Sequence, residues 1–163
     1  MILLAIDPGN IESGYCYVRD DYEPTLFGKI RNDELMQEVS AGGYDALAVE
    51  MVAHYGSGMP AGKTVFDTVR WIGRFEQEAY RRGKDFKLIF RIDEKIDLCK
   101  DSRAKDANIR RALIDRFAKT ESGKGTKKDP DFFYGFSADV WSAFAIGAIW
   151  WDMHYGKYQS KVG

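Results

Sequence analysis

The stretch Ile2-Leu3-Leu4-Ala5-Ile6-Asp7-Pro8-Gly9-Asn10-Ile11-Glu12-Ser13-Gly14-Tyr15-Cys16-Tyr17-Val18 decides how the rest of the chain is read. Five apolar residues end on a carboxylate. Pro8-Gly9-Asn10 turns the chain, and Gly14-Tyr15-Cys16-Tyr17-Val18 re-enters. A short apolar run bounded by turn residues reads as a buried strand. The pattern therefore predicts two strands with Asp7 at the lip of a sheet, on fixed backbone with open space above it. Two more acids recur in comparable settings. Glu50 closes the run Ala46-Leu47-Ala48-Val49, and Asp139 opens an apolar segment near the C-terminus. A charged residue ending an apolar strand seldom lacks a partner. Asp139 has a plainer reading beside the functional one, as an acid that the helix dipole stabilises.

Strands are expected over residues 1–7, 14–19 and 24–30. A short helix capped by Asn32 or Asp33 should run to residue 39, and Gly42-Gly43 should end it. Residues 46–50 form a fourth strand. The Gly-rich segment 54–63 leads into a long helix over 61–82, with Val65, Val69, Ile72 and Ala79 on one stripe. A strand over 86–92 follows, then a helix over 104–118, a flexible basic loop over 120–129, and a last helix over 138–153 capped by Ser137. Three antiparallel strands followed by alternating helices and strands imply an α/β fold. Its mixed five-stranded sheet is flanked by helices and forms one domain over 1–163. If strands one and four are neighbours, Asp7 and Glu50 project from adjacent strand ends and the last helix leans Asp139 over them.

The bulk properties fit a soluble globular protein: 163 residues, 45% hydrophobic and 30% charged. No apolar run approaches the ~20 residues of a membrane span. The N-terminal run is too short for a signal-peptide core and has no basic leader. Cys16 and Cys99 lack metal-ligand spacing and read as reduced thiols of a cytoplasmic protein. His54 and His154 are too far apart in sequence to suggest a ligand pair. Net charge is −1, but it is unevenly spread: residues 103–128 hold nine basic residues against three acids. A basic block beside carboxylates suits phosphate binding near a metal, although such runs are often just solvated surface.

Carboxylates on three separate elements are what a pair of hard divalent ions requires, because magnesium takes oxygen ligands and keeps some waters. Two such ions clamp the attacking and leaving oxygens of a phosphodiester. Asp7 would bridge the ions, and Glu50 and Asp139 would each complete one.

At this point the residues resemble a known family, the RuvC-type Holliday junction resolvases, and most closely the RuvC-like endonucleases of bacteriophages. The motifs are AIDPGNIESGY at 5–15, LAVEMVAHYGSGMPAGK at 47–63, SRAKDANIRRALIDRF at 102–117 and YGFSADVWSAFAIGAI at 134–149. The resemblance implies an RNase H-like fold and a homodimer that cleaves four-way DNA junctions. It implies magnesium or manganese, two ions per site, held by Asp7, Glu50 and Asp139. A phage enzyme of this kind would act in the cytoplasm of a bacterial host.

Two departures stand out. The cellular enzymes carry two acids three residues apart on the last helix, and the second of those positions is Ser142 here; either three acids suffice, or Ser142 holds a metal-bound water, or Asp106 substitutes. The basic residue they place at the start of the preceding helix is shifted here to Lys105. The family pattern also suggests Tyr55 as a base-stacking aromatic. Lys63, Arg70, Arg74, Arg103, Lys105, Lys124, Lys127 and Lys128 are expected phosphate contacts. Phe66, Val69, Ile72 and Gly73 of the long helix are expected at a dimer interface. Four competing readings stay open: a nuclease acting mainly on forks and flaps, a junction binder that does not cleave, an RNA nuclease of the same superfamily, and an actin-like ATPase. Length argues against the last.

Overall fold

The computed structural model describes residues 1–53 and 62–157. Five strands, β1 (Ile2–Asp7), β2 (Glu12–Arg19), β3 (Pro24–Arg31), β4 (Ala46–Met51) and β5 (Asp85–Phe90), form one sheet in the order β3-β2-β1-β4-β5. β1 pairs antiparallel with β2, and β2 with β3, as two tight turns require. β4 and β5 join parallel to β1 through helical crossovers. The helices are α1 (Asn32–Ala41), α2 (Lys63–Arg81), α3 (Arg91–Cys99), α4 (Asp106–Phe117) and α5 (Ala138–His154).

The sheet is covered on both faces, and alternation along each strand sorts the core into two layers. Leu3, Ala5, Ala46 and Ala48 face α5, while Leu4, Ile6, Leu47 and Val49 face α1 and α2. Small residues on the first face let α5 lie close. A Cβ built on Gly147 would come within 2.9 Å of Val18 Cγ2, so any side chain there would force Val18 or the helix to shift. α5 is buried along most of its length, and its Phe144 ring packs edge-on against Phe133 and Phe136 of the preceding segment.

Four expectations need correction. Residues 91 and 92 were expected to extend the fifth strand, but Arg91 already begins a helix, α3, that the sequence reading does not contain. Its buried residues are Glu94 and Asp97, so acids stand at the inward positions where apolar residues announce a helix. Ile72, expected at a dimer face, is buried with Phe75 and Ala79 against the protein's own sheet. Phe66 and Val69 are exposed, and Gly73 faces open space. The basic loop is an ordered structure rather than a loose one. The Asp131 carboxylate accepts from the Thr120 hydroxyl and from the backbone N–H of Thr120, Phe132 and Lys119, and these hydrogen bonds hold its pKa far below the usual carboxylate range. Finally, Ser137 stands at the N-cap of α5 but makes no side-chain cap bond, and Arg31 rather than Asn32 or Asp33 stands at that of α1.

One buried ionic cluster ties the far end of α5 to the rest. Asp152 is 2% exposed and accepts two hydrogen bonds from Arg116, both 2.7 Å, and one from the Tyr22 hydroxyl at 2.7 Å. Burial pushes this carboxyl up, but the hydrogen bonds from Arg116 and Tyr22 outweigh it and leave the pKa below its ordinary value. Asp152→Ala would strand the guanidinium beside a hole. The expected cost is about 3 kcal/mol, read from urea denaturation, because removing one partner of a buried pair leaves the other uncompensated. An unchanged midpoint would mean that the pair adds nothing to the fold.

Candidate metal and DNA site

The parallel register of β1 and β4 sets Ile6 beside Val49, so Asp7 and Glu50 are the next residues on neighbouring strands. Ala5 and Ala48 face α5, and the period of two sends Asp7 and Glu50 to that same face, just beyond the apolar packing. The third acid arrives through Gly14, which pairs with Asp7 across β1 and β2. A Cβ on Gly14 would lie 2.5 Å from the Asp139 carbonyl oxygen and 2.9 Å from its Cβ. The first turn of α5 therefore rests on bare backbone beside Asp7. Asp139, Asp7, Gly14 and Lys29 share one groove with the 8–12 turn.

That turn is fixed by a buried polar network. The Ser13 hydroxyl donates to Asn32 Oδ1 at 2.5 Å and accepts from the Gly9 N–H at 3.1 Å. The Asn32 amide nitrogen donates to the Gly9 carbonyl at 2.9 Å. Asn32 is thus spent on holding the loop after Asp7 rather than on capping α1. Gly9 has no room for a side chain, because a Cβ there would run into the Glu12 carbonyl.

Electrostatics concentrate on Asp7. Burial, then Glu50, then Asp139 push its pKa up to about 7. Burial also raises Glu50, partly offset by Arg91. Two cations stand among these acids, neither foreseen from the sequence. Lys29 Nζ lies 3.2 Å from Asp139 Oδ2. Arg91 is ion-paired with Asp106 on one side and with Glu94 on the other, the latter at 2.6 Å. Glu94 is fully buried, and burial followed by the nearby Glu50 charge drives its pKa well above the ordinary value. Arg91 and Glu94 are i,i+3 neighbours on α3, but the sequence does not show that Glu94 is buried or that Arg91 reaches across to Asp106 on α4.

The donor chemistry fits hard divalent cations: Asp7, Glu50 and Asp139 offer only carboxylate oxygens, and their mutual repulsion is what bound positive charge relieves. Among the described residues, no three Asp, Glu, His or Cys side chains are already drawn together as a coordination group. Asp139 turns to Lys29 and Asp106 to Arg91 instead. Ser142 lines a cavity with Asp106, Asp139 and Arg91.

The expected phosphate contacts are dispersed. Lys63 pairs with Asp67 on α2, and the Arg74 guanidinium lies 4.5 Å above the Trp71 ring. Arg70 is exposed beside it. Arg103 and Lys105 line a different cavity, where Arg103 sits 3.7 Å from Asp101. Lys124, Lys127 and Lys128 stand exposed on the loop organised by Asp131. Tyr55 lies outside the described residues.

No protein-family model matches the chain, and no curated protein matches it in sequence. Solved structures do match in shape. The RuvC structure of Thermus thermophilus superimposes with a TM-score of 0.66 at 16% identity, covering 98% of this chain and 99% of that one. The same enzyme in complex with a Holliday junction substrate gives 0.68 at 14% identity, covering 98% of each. The fold is RNase H-like, the fold of RuvC. The yeast mitochondrial Holliday junction resolvase Ydc2 matches at 0.53 with 15% identity, over 96% of this chain and 80% of that one. The similarity to RuvC runs the full length of both chains. It therefore includes the sheet order, the antiparallel first three strands and the long last helix on which Asp139 sits.

Proposed function

We propose that this protein is a metal-dependent endonuclease that cleaves branched DNA, four-way junctions foremost. The observation that carries this is the convergence of Asp7, Glu50 and Asp139 at the C-terminal ends of the inner strands β1 and β4 of a RuvC-like sheet, with Asp7 pushed up to about 7 by burial and its acidic neighbours. A site that crowds carboxylates at such a cost is built for a cation, and strongly perturbed acids in a groove mark function. Asp7, Glu50 and Asp139 would hold two magnesium or manganese ions, which when bound supply charge neutralisation and an activated water for hydrolysis of the phosphodiester.

The protein's own residues prepare that step. The Ser13–Asn32 network fixes the backbone after Asp7, and Gly14 lets α5 bring Asp139 within reach. Lys29 and Arg91 hold the acids' charge until metal and substrate arrive. Ser142, at the position of a second acid on the last helix of the family pattern, is a neutral hydroxyl lining the adjoining cavity, so three carboxylates carry the metal in this reading. Exposed Phe66 and Val69 with Gly73 would form the two-fold dimer contact, setting two sites against two strands. The affinity to the bacteriophage branch rests on the sequence motifs alone.

The test is cleavage of a labelled four-way junction, a replication fork and a matched linear duplex, with magnesium, with manganese and with neither. Paired metal-dependent nicks in the junction, leaving 5′-phosphates, are expected. Equal cutting of fork and junction would shift the reading to a general branched-DNA nuclease. Tight binding without cleavage in either metal would overturn the enzyme and leave a junction-binding protein.

A further inference from the structure

Beside the acid groove lies a second cavity, of about 220 Å³, whose composition differs from that of a metal site. It opens between the N-terminal turns of α4 and α5, being lined by Asp106 and Arg110 of the one and by Ala138, Asp139 and Ser142 of the other. Two helices that present their N-termini to one space place two positive dipole ends there. Two guanidiniums reach the same space. Arg110 lies 5.2 Å from the Trp141 ring, which holds it over the cavity floor. Arg91 comes from α3, and what lies behind it is unusual.

Glu94, fully buried, takes one nitrogen of Arg91 on Oε2 at 2.6 Å, and its Oε1 has no hydrogen-bond partner. A buried carboxylate with an orphaned oxygen is costly, and a helix surface offers many cheaper ways to fill space. Its effect is to pin Arg91 from behind. The other terminal nitrogen of that guanidinium reaches Asp106, whose side chain is 88% exposed and is a partner that solvent or ligand can replace. The arginine is therefore held firmly on its protein side and loosely on its cavity side.

We propose that this cavity is a subsite for a backbone phosphate next to the scissile one, with Arg91 and Arg110 as its cations, Ser142 as a neutral donor, and Glu94 as the buried anchor of Arg91. Asp106 occupies the place of the phosphate on Arg91 until nucleic acid binds. The subsite rests on the nuclease reading, because its position matters only if DNA crosses the acid groove, with which it shares Asp139.

The test measures binding rather than turnover. Anisotropy of a labelled four-way DNA junction is followed in calcium over a range of salt, for wild type, Arg91→Met, Asp106→Asn and the double variant Arg91→Met/Glu94→Gln. The double variant leaves no buried charge unpaired, so it separates a phosphate contact from a fold-holding pair. Loss of one contact should weaken binding roughly 10-fold and lower the log–log salt slope by about 1. Arg91→Met and the double variant should share that defect, and Asp106→Asn should tighten binding. Wild-type affinity and slope in the double variant would overturn the subsite and leave Arg91 as the partner of Glu94 alone. Failure of the wild-type protein itself to bind the junction would overturn the DNA reading and the subsite with it.

Discussion

Asp7→Asn is expected to stabilise the metal-free protein while abolishing cleavage. The folded-state pKa of Asp7 stands at about 7, against an ordinary value of 3.8. A carboxyl raised by folding holds its proton more tightly in the native state than in the unfolded chain. Stability from this group is therefore complete below about 4 and is lost as pH rises to about 7. The whole loss is bounded by roughly 4 kcal/mol, since each unit of pKa is worth ~1.4 kcal/mol. Asparagine keeps the shape and carries no charge. Thermal melts in EDTA should coincide near pH 4 and diverge towards pH 8, with the variant melting higher. Added magnesium should close the gap from the wild-type side, by stabilising only the form that binds it. Cleavage should fall by at least ~10³-fold, as loss of several kcal/mol of metal-derived stabilisation implies. Parallel melting curves across this pH range would show that Asp7 is an ordinary surface acid, and the proposed metal site would lose its centre.

What the sequence conceals is as informative as what it displays. Asp7 and Glu50 are legible because each interrupts an apolar run, and a strand's period of two then fixes the face to which they point. The mixed sheet is legible because three short strands precede the first helix. α3 is illegible for the opposite reason: Glu94 and Asp97 stand where apolar residues would signal an inward face. The cations of the site are hidden because their meaning is tertiary. Lys29 is one alternating residue of an outer strand, and nothing local says that it meets Asp139. Ile72 and Val69 lie on the same expected stripe, yet one is core and the other surface, because a helix on a sheet buries a narrower arc than an apolar stripe suggests. Asn32 reads as a cap by propensity, and a long-range network overrides that preference.

The geometry of the site then depends on a residue that has no chemistry at all. Gly14 adopts no left-handed backbone; what it supplies is absence, because the first turn of α5 occupies the volume a side chain would need. The neighbours are the Asp139 carbonyl and Cβ, which belong to a helix and cannot swing aside as a flexible side-chain end could. α5 cannot retreat as a whole either, since Gly147 seats its middle on Val18 and Asp152 pins its far end to Arg116 and Tyr22. Gly14→Val should therefore tilt the helix about its middle and lift Asp139 off Asp7. Overpacking of this kind costs about 1–3 kcal/mol. A displacement of ~1 Å at a reacting centre costs on the order of 10²-fold in rate. Manganese affinity, read by titration of the metal-free protein, should weaken alongside cleavage. Gly43→Ala, with nothing within 4 Å of its Cβ, is the control and should match wild type in every measurement. If Gly14→Val melts, binds manganese and cuts DNA as wild type does, Asp139 is not held by this contact. The third acid would then owe its place to something other than the close approach of α5 to β2.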